Sequence, residues 1–421
     1  MRIGYRLILL LAGIGVAIAS GVPRLSAVAP ALAQEQKTRS DTVRPEIGKP
    51  IQAAIDLLKK KRGKDALARV GEADAVKDKT PYELYLVERV RGQAAAAAGQ
   101  ASTAARALEM AALLPAAPAE ERLPLLAAAA GQYYTAKDYG KASEVARRYF
   151  RDGGTDRTVR AIYIEALFLG NDLAHATEEL LADIRAEERA GRTPSEQQLQ
   201  LLANALFKRG DAAGYGDALE KLVAHYPKRD YWLAVIHSVA TRRSFSGRLA
   251  LDLARLKFAT GTMQSAAEYF EATQLALEAG FPAEATKIVE RGFAAGLLGT
   301  GPDAERHKRL SDLATKDFAD DRKTLGQEDA RAAAGEGGIA LFNAGFNHVL
   351  HGNPGRGLEM MEQGLRKGGL KRPDDARLHL GYAYHLAGQN QKANQMFKTV
   401  RGADGTAALA RLWVIHLGHA P

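Results

Sequence analysis

Apolar residues recur along this chain with the spacing of amphipathic helices, in segments of about a dozen residues from Pro50 onward. Glycine, asparagine or proline separates these segments, alanine is abundant, and runs of β-branched residues are short. This pattern favours helix over strand along the whole segment. We therefore predict an all-α protein built from short helices joined by tight turns.

The helices follow a repeat in which small and large residues occupy fixed positions. In its clearest copy these positions are Leu380, Gly381, Ala383, Tyr384, Gly388, Ala393 and Phe397. A similar skeleton occurs 36 residues earlier, at Gly345, Gly352, Gly357 and Met361. A period in this range indicates stacked pairs of antiparallel helices, because a single pair cannot bury its apolar face alone.

Each helix pair has a predicted turn, which in most pairs is glycine because a helix often ends in a residue with positive φ. The predicted turns are Gly63, Gly99, Lys137-Asp138, Gly170, Gly210, Gly280, Gly352 and Gly388. A small residue five positions later would let the second helix approach the first. These small residues are Ala68, Ala104, Ala142, Ala285, Gly357 and Ala393. His175 and Tyr215 are large at this position, so we predict that their repeats are degenerate or shifted by one residue.

These positions resemble the tetratricopeptide repeat (TPR) family, most closely over 374–407 and also over 123–156. The resemblance covers most of 50–407, although the opening tryptophan of the family signature is absent. The whole chain is also similar to exported proteobacterial TPR proteins, in segments such as 79–83 and 367–373. The family resemblance implies a right-handed superhelical solenoid of antiparallel helix pairs.

In this family the first helix of each pair lines a concave groove that binds partners. The matching positions here are Tyr134, Asn204, Phe207, Lys208, Phe346, Tyr382 and His385. Asn204 and Lys208 lie four residues apart, and some members use such a pair to grip a peptide carboxylate. The competing interpretation of the aromatic residues is packing between helices.

The N-terminal segment has the pattern of a secretory signal peptide. Arg2 and Arg6 precede an apolar run over 7–19 that is too short to cross a membrane as a helix. Ala31-Leu32-Ala33 then matches the small-x-small pattern of a cleavage site. We interpret 1–33 as a cleaved signal peptide, which predicts a periplasmic protein, and an uncleaved membrane anchor is the alternative.

The rest of the chain is predicted to form four further segments. A flexible lead-in over 34–49 precedes TPR-like repeats over 50–227, and irregular helical repeats with a charged helical insertion follow over 228–336. C-terminal TPR repeats and a capping helix complete the chain over 337–421. The capping helix is placed at Thr406–Leu417, with Trp413 and Leu417 facing inward to cover the final repeat.

Charge and cysteine content narrow the choice of partners. The net charge of +9 falls to +6 without 1–33, since that segment holds three arginines and no acidic residue. The basic run 59–62 is interpreted as a solvated helix end, and contact with anionic lipid or an acidic partner is the alternative. No aromatic residue interleaves this run, so we expect no nucleic-acid partner. The absence of cysteine excludes disulfides and thiolate metal sites and suits an oxidising compartment.

The sequence contains none of the common catalytic motifs, such as a phosphate-binding loop, a nucleophile elbow or a His-Glu-x-x-His zinc site. His348 and His351 could share a helix face, but two ligands do not close a metal site. His348 also aligns with Tyr384 in the next repeat, which favours a packing role. We therefore predict no catalytic residue, no cofactor and no metal.

These observations favour a non-catalytic periplasmic scaffold or adaptor that binds proteins or peptides in its groove. The resemblance to exported TPR proteins suggests a cell-envelope complex, for example of the TonB type. The alternative is a periplasmic chaperone or quality-control factor for exported proteins. An enzyme acting on peptidoglycan or polysaccharide is disfavoured, because the repeats leave no room for a catalytic domain. The sequence leaves the oligomeric state open.

Overall fold

A computed structural model describes residues 42–327 and 329–419 of the chain. In these residues the regular structure consists of 21 α-helices and a short 3-10 helix, with no strand. The all-α prediction is therefore confirmed. The predicted signal peptide and the first half of the predicted lead-in, 34–41, lie outside the described residues. None of the described helices is long and apolar enough to cross a membrane.

The chain divides into two compact units, of which unit 1 comprises the described residues up to 192 together with 204–210. Its complete helices are α1 (Pro45–Lys59), α2 (Gly63–Asp74), α3 (Pro81–Ala97), α4 (Ala101–Leu113), α5 (Ala119–Thr135), α6 (Tyr139–Arg151), α7 (Arg157–Leu169) and α8 (Leu173–Arg189). The last residues of α9 (Glu196–Lys208) also belong to it. Each helix from α1 to α7 packs against the next, and α1 touches α3 as α5 touches α7. Such sequential pairing is the arrangement of a helical solenoid.

The first helix of unit 1 begins earlier than the sequence suggested. The N-terminus of α1 is at Pro45 rather than near Pro50, so the predicted lead-in overlaps the first helical turn. The side chain of Ile47 is fully buried there, in a cluster that also contains Ile51, Val70 and Val90. Burial of these apolar side chains extends the helix toward its N-terminus, because each one stabilises the packed state by about 2 kcal/mol.

The turns between paired helices mostly confirm the predicted positions. Gly99, Gly210, Gly280, Gly352 and Gly388 all have φ between 72° and 83°, and the turn at 137–138 has Lys137 at 61°. The turn predicted at Gly63 is displaced by two residues and the one at Gly170 by one, because Lys61 (φ 58°) and Asn171 (φ 64°) adopt the left-handed conformation instead.

This correction also moves the small residue of each affected repeat. Counting five residues from Lys61 and Asn171 leads to Ala66 and Ala176, and both are fully buried. Ala68, which the sequence placed in the helix interface, is exposed. The repeat is therefore regular at these two places, and only its predicted alignment was displaced.

Unit 2 comprises residues 193–203 and 211–419. Its complete helices are α10 (Ala212–His225), α11 (Arg229–Ala240), the 3-10 helix (Gly247–Leu249), α12 (Ala250–Ala259), α13 (Ala266–Glu278), α14 (Pro282–Ala294), α15 (Ala304–Thr324), α16 (Asp329–Ala334), α17 (Ile339–Leu350), α18 (Pro354–Lys367), α19 (Pro373–Leu386), α20 (Asn390–Phe397) and α21 (Thr406–Leu417). Neighbouring helices pack in sequence in most of this unit as well, and α17 also contacts α14 and α19.

The last helix of unit 2 does more than cover the final repeat. It has the predicted bounds, and Trp413 and Leu417 are buried as expected. It also packs against α10 and α12, so the two ends of unit 2 meet. Arg411 on α21 donates to Glu220 on α10 over 3.0 and 2.9 Å. The predicted capping helix is therefore present, and it also closes unit 2, which the sequence did not predict.

The closest helix pair in unit 2 depends on two glycines. A Cβ atom at Gly345 on α17 would lie 2.6 Å from the carbonyl oxygen of Gly357 on α18. A Cβ atom at Gly357 would in turn lie 2.5 Å from the carbonyl oxygen of Gly345. Both positions were predicted as small, and backbone-to-backbone contact explains why no side chain fits there.

The predicted charged insertion is a helix with one buried face. Within α15 the side chains of His307, Leu310 and Ala314 are buried, and the helix packs against α13 and α14. Its other residues are mostly exposed. The sequence predicted the helix and its exposed charges but missed its role in the core of unit 2.

The start of α3 is fixed by a buried carboxylate. Thr80 and Glu83 form a reciprocal capping box, and Glu83 is fully buried. Arg44 donates from Nε and Nη2 to this carboxylate, at 3.0 and 2.8 Å. Hydrogen bonds from Arg44 lower the pKa of Glu83 to about 2, against burial, which acts in the opposite direction.

We expect acid to weaken this end of unit 1. Because the folded pKa of Glu83 lies below its unfolded value, the pair stabilises the fold above pH ~4.5 and loses this contribution as the pH falls toward ~2. Glu83→Gln should make amide exchange in α3 roughly tenfold faster at pH 6 and remove most of its acid dependence. Hydrogen-exchange mass spectrometry of peptides covering Pro81–Ala97 measures both effects.

The matched control is Glu72→Gln, which removes an exposed carboxylate paired with Arg69 on α2. Exposed ion pairs contribute little, so exchange in α3 should stay unchanged. Equal effects of the two substitutions would show that the burial of Glu83 is unimportant.

Candidate functional site

Three consecutive first helices of unit 1 carry an aromatic side chain at the same place. Tyr134 on α5, Phe168 on α7 and Phe207 on α9 each stand three residues before the left-handed turn residue. We call these three residues the aromatic row. The three positions are equivalent only when they are counted from the corrected turn residues. After α7 the left-handed residue is Asn171 rather than Gly170.

The aromatic row is least buried at its α9 end. The exposed fraction is 8% for Phe168 and 42% for Phe207, while Tyr134 is half-buried. Lys208, beside Phe207, is exposed and places its Nζ 4.3 Å from the centroid of the Phe168 ring. A cation over an aromatic face is attracted by the ring's electrons, which holds the lysine against the row.

The other end of the row is fixed by a hydrogen bond between helices. The Tyr134 hydroxyl donates to Glu165 Oε2 on α7 over 2.7 Å. Burial, together with this carboxylate, raises the pKa of Tyr134, so its hydroxyl stays protonated at neutral pH. Tyr134 is thus both a packing residue and a partly accessible aromatic surface, as the two sequence interpretations separately proposed.

Four of the predicted groove residues lie in unit 1. These are Tyr134, Asn204, Phe207 and Lys208, of which Asn204 is half-buried and the last two are exposed. Asn204 and Lys208 stand on one helix, four residues apart. The lysine contacts Phe168, which the sequence analysis did not identify because Gly170 was taken as the turn residue. Its position three residues before Asn171, the same as in the other two helices, identifies it.

The predicted groove residues of unit 2 are placed differently. Phe346 and Tyr382 have exposed fractions of 1% and 8%, so neither offers an open surface. Both pack on the guanidinium of Arg255, whose Cζ lies 5.0 and 5.2 Å from the two ring centroids. The prediction that they line an open groove is therefore wrong, and packing accounts for both.

His385 is half-buried at the same end of unit 2. Its Nδ1 lies 3.1 Å from Asn390 Oδ1, and its ring centroid lies 5.3 Å from that of Trp413 on α21. Because α21 closes unit 2, the ring of Trp413 packs against His385, which was expected to face a groove.

The two histidines considered as metal ligands bind separate carboxylates. His348 Nε2 lies 3.0 Å from Asp329 Oδ2, and His351 Nε2 lies 2.6 Å from Asp321 Oδ2. Over 42–327 and 329–419, no three histidine or acidic side chains are grouped as a metal site requires. His348 is buried, as a packing residue should be.

The basic run after α1 has the surroundings of a solvated helix end. All of its residues are exposed, and Lys59 and Arg62 form short-range ion pairs with Asp56 and Asp65. Such exposed pairs contribute at most about 1 kcal/mol each and leave the run accessible.

No protein-family model matches the sequence, and no curated protein matches it. Among solved structures, the pentatricopeptide repeat protein PPR10 from maize is 14% identical, with 87% of this chain and 55% of that chain covered and a TM-score of 0.31. A chain in the structure of Naa15/Naa10 bound to HypK-THB is 14% identical over 85% of this chain, with a TM-score of 0.30. The TPR domain of P58(IPK) is 11% identical, covers 87% of this chain and 96% of that one, and has a TM-score of 0.23. This chain spans 58% of the chain from the Naa15 complex.

Proposed function

We propose that this protein is a non-catalytic periplasmic scaffold that binds a protein or peptide segment on the aromatic row of unit 1. The observation that carries this proposal is the contrast between the two units. Phe207 and Lys208 remain exposed at the end of the row, whereas Phe346 and Tyr382, the aromatic groove candidates of unit 2, are buried. Aromatic side chains are common anchors for protein partners, and a neighbouring charge adds selectivity.

The chemistry of the row defines a suitable partner. Aromatic faces accept apolar or aromatic side chains, and the Lys208 ammonium favours an acidic neighbour. The proposed partner segment therefore combines apolar and acidic residues. The periplasmic location rests on the signal-peptide pattern of 1–33, and membership of a TonB-type envelope complex rests on the family resemblance.

The proposal is tested by site-specific photocrosslinking in living cells. A photoreactive amino acid at position 207 should capture one or a few defined envelope proteins, and Lys208→Glu should lower that yield about tenfold. Position 113 is the matched control, because Leu113 is a 50% exposed apolar residue at the end of a second helix, α4. It should capture none of the same proteins.

The outcomes separate the candidate functions. Equal capture at positions 207 and 113 would contradict binding on the row. A broad set of unrelated exported proteins at 207 alone would instead support the chaperone alternative. Captured proteins that are all cytoplasmic would contradict the periplasmic location while leaving the binding surface intact.

A further inference from the structure

A cavity of about 240 Å³ lies in unit 2, between the segment after α11 and the segment before α21. Three arginines line it, namely Arg242, Arg401 and Arg411, and no acidic residue is among its lining residues. Ser244 contributes a hydroxyl and Phe245 an apolar wall. The cavity is therefore small, positively charged and only partly apolar.

Two of these arginines have no acidic partner in the part of the chain that the structure describes. Arg411 is paired with Glu220, but no carboxylate lies within ion-pair distance of Arg242 or Arg401. Arg401 donates from Nη1 to the carbonyl oxygens of Lys398 and Val400, at 2.7 and 2.9 Å. Nη2 of Arg242 is buried without any hydrogen-bond acceptor. A buried donor on a cation that lacks a partner is costly, so the charge of Arg242 is not balanced within the described residues.

The walls of the cavity are held in place by contacts outside it. Gly405 has φ of 106°, and a Cβ atom there would lie 2.5 Å from the Phe245 ring. The adjacent Asp404 accepts a hydrogen bond from the Ser246 amide at 2.9 Å and also pairs with Arg248. These contacts join the two segments that bound the cavity, so the arginines need little rearrangement on binding.

The lack of a side chain at Gly216 leaves room for the Arg242 guanidinium. A Cβ atom at Gly216 on α10 would lie only 2.3 Å from Arg242 Nη2. Glycine at this position thus allows the guanidinium to lie close against α10. The Arg242 side chain is therefore held against α10 where it lines the cavity.

We propose that this cavity binds a phosphate group. The planar guanidinium donates paired hydrogen bonds that match the oxygens of phosphate. Phosphate carries a charge of about −1.5 to −2 at neutral pH, which balances the two unpaired arginines, whereas a carboxylate would balance only one. The group could come from a small soluble phosphate or from a lipid headgroup that is a phosphate monoester, such as that of phosphatidic acid. This site is separate from the aromatic row and does not depend on the scaffold function.

The test is isothermal titration calorimetry of the purified protein at constant ionic strength, with chloride as the balancing anion. Inorganic phosphate and glycerol phosphate should each bind saturably at one site, and acetate should not. Arg242→Gln and Arg401→Gln should each weaken phosphate binding about tenfold or more, since each removes a charge-assisted hydrogen bond. Acetate that binds as tightly as phosphate, or phosphate that does not saturate, overturns the proposal.

Two control variants separate a site from general charge attraction. Arg243→Gln removes the same charge from the next residue, which is exposed and does not line the cavity. It should leave binding within about twofold of the native value, because a screened charge contributes little. Ala403→Ile keeps every arginine and fills the cavity from an exposed lining position, so it should abolish binding. Equal losses in Arg242→Gln and Arg243→Gln, or full binding by Ala403→Ile, contradict the proposal.

Folding of each variant is followed by tryptophan fluorescence, since both tryptophans, Trp232 and Trp413, are buried in unit 2. If Arg242→Gln does not fold, the exposed positions Arg401 and Ala403 still decide the question. Vesicles of phosphatidylcholine with or without phosphatidic acid identify the source of the phosphate. Retention on the acidic vesicles that Arg401→Gln abolishes indicates a lipid headgroup, and binding of glycerol phosphate alone indicates a soluble ligand.

Discussion

Replacing Arg255 with leucine should lower the free energy of unfolding of unit 2 by about 4 kcal/mol. Arg255 is 2% exposed and donates from Nε and Nη2 to Glu284 at 2.9 and 2.7 Å, and from Nη1 to Asp252 at 2.8 Å. Both carboxylates are buried, so removal of the guanidinium leaves them without their main counter-charge. Urea unfolding followed by tryptophan fluorescence reports unit 2 alone, because both tryptophans lie there.

The pKa of Asp252 shows how strongly this carboxylate depends on the side chains around it. Burial alone would raise the pKa of Asp252, but His379 and Arg255 outweigh burial and hold that pKa below its usual range. His379 Nε2 lies 3.0 Å from Asp252 Oδ1. The carboxylate is therefore ionised in the folded protein and depends on the Arg255 guanidinium beside it.

Lys257→Leu is the matched control on the same helix. Lys257 Nζ lies 2.8 Å from Glu268, and both side chains are partly exposed. Its replacement should cost about 1 kcal/mol or less. A second comparison combines Arg255→Leu with leucine at positions 252 and 284, which removes the unpaired charges and should recover much of the lost stability. A loss as small for Arg255→Leu as for Lys257→Leu would contradict the role of the buried network.

The second large effect is expected for Ala393→Asp, which should destabilise unit 2 by about 3 kcal/mol or more. Ala393 on α20 is fully buried at the small position of the last repeat. Nearby on the same helix, Phe397 is 2% exposed and its ring stacks on Trp413 at a centroid distance of 5.8 Å. A carboxylate in this interface has to be buried without a partner or has to separate α20 from its neighbours.

Tryptophan fluorescence again gives the measurement, since separation of α20 would expose Trp413. The matched control is Gln395→Asp, which places the same charge at an exposed position on the same helix. We expect that variant to unfold within about 0.5 kcal/mol of the native protein. An unchanged unfolding curve for Ala393→Asp would refute the buried placement of this residue.

The periodicity of the sequence predicted much of the fold, because local geometry controls it. Gly99, Gly210 and Gly388 end helices in the left-handed conformation, where glycine has no steric cost. Gly345 and Gly357 allow contact between two backbones that no larger residue permits. Such requirements can be read from single positions at a fixed spacing.

The predicted alignment failed where other residues take the place of glycine. Lys61 and Asn171 adopt positive φ although Gly63 and Gly170 stand close by. The cost of the left-handed conformation is about 1 kcal/mol for such residues, which helix packing can outweigh. The displaced alignment hid Phe168, and with it the regular spacing of the aromatic row.

The candidate site residues also divide into those that the sequence identified and those whose surroundings depend on distant parts of the chain. Tyr134, Phe207 and Lys208 were proposed from the family resemblance, and the structure leaves Phe207 and Lys208 exposed. The burial of Phe346 and Tyr382 could not be predicted from local spacing, because it depends on contacts between distant segments. Tyr382 donates to Glu284 over a separation of 98 residues.

The sequence by itself determined that this protein is a chain of paired helices, where the turns fall to within two residues, and which positions must be small. These features follow from helix period and backbone sterics, which act over a few residues. Only the tertiary structure decided that unit 2 closes on itself, that Arg255 fills its interior, and that Arg242, Arg401 and Arg411 share one cavity. Those arrangements depend on side chains far apart in the chain, such as Arg411 and Glu220 at a separation of 191 residues, whose meeting no local pattern encodes.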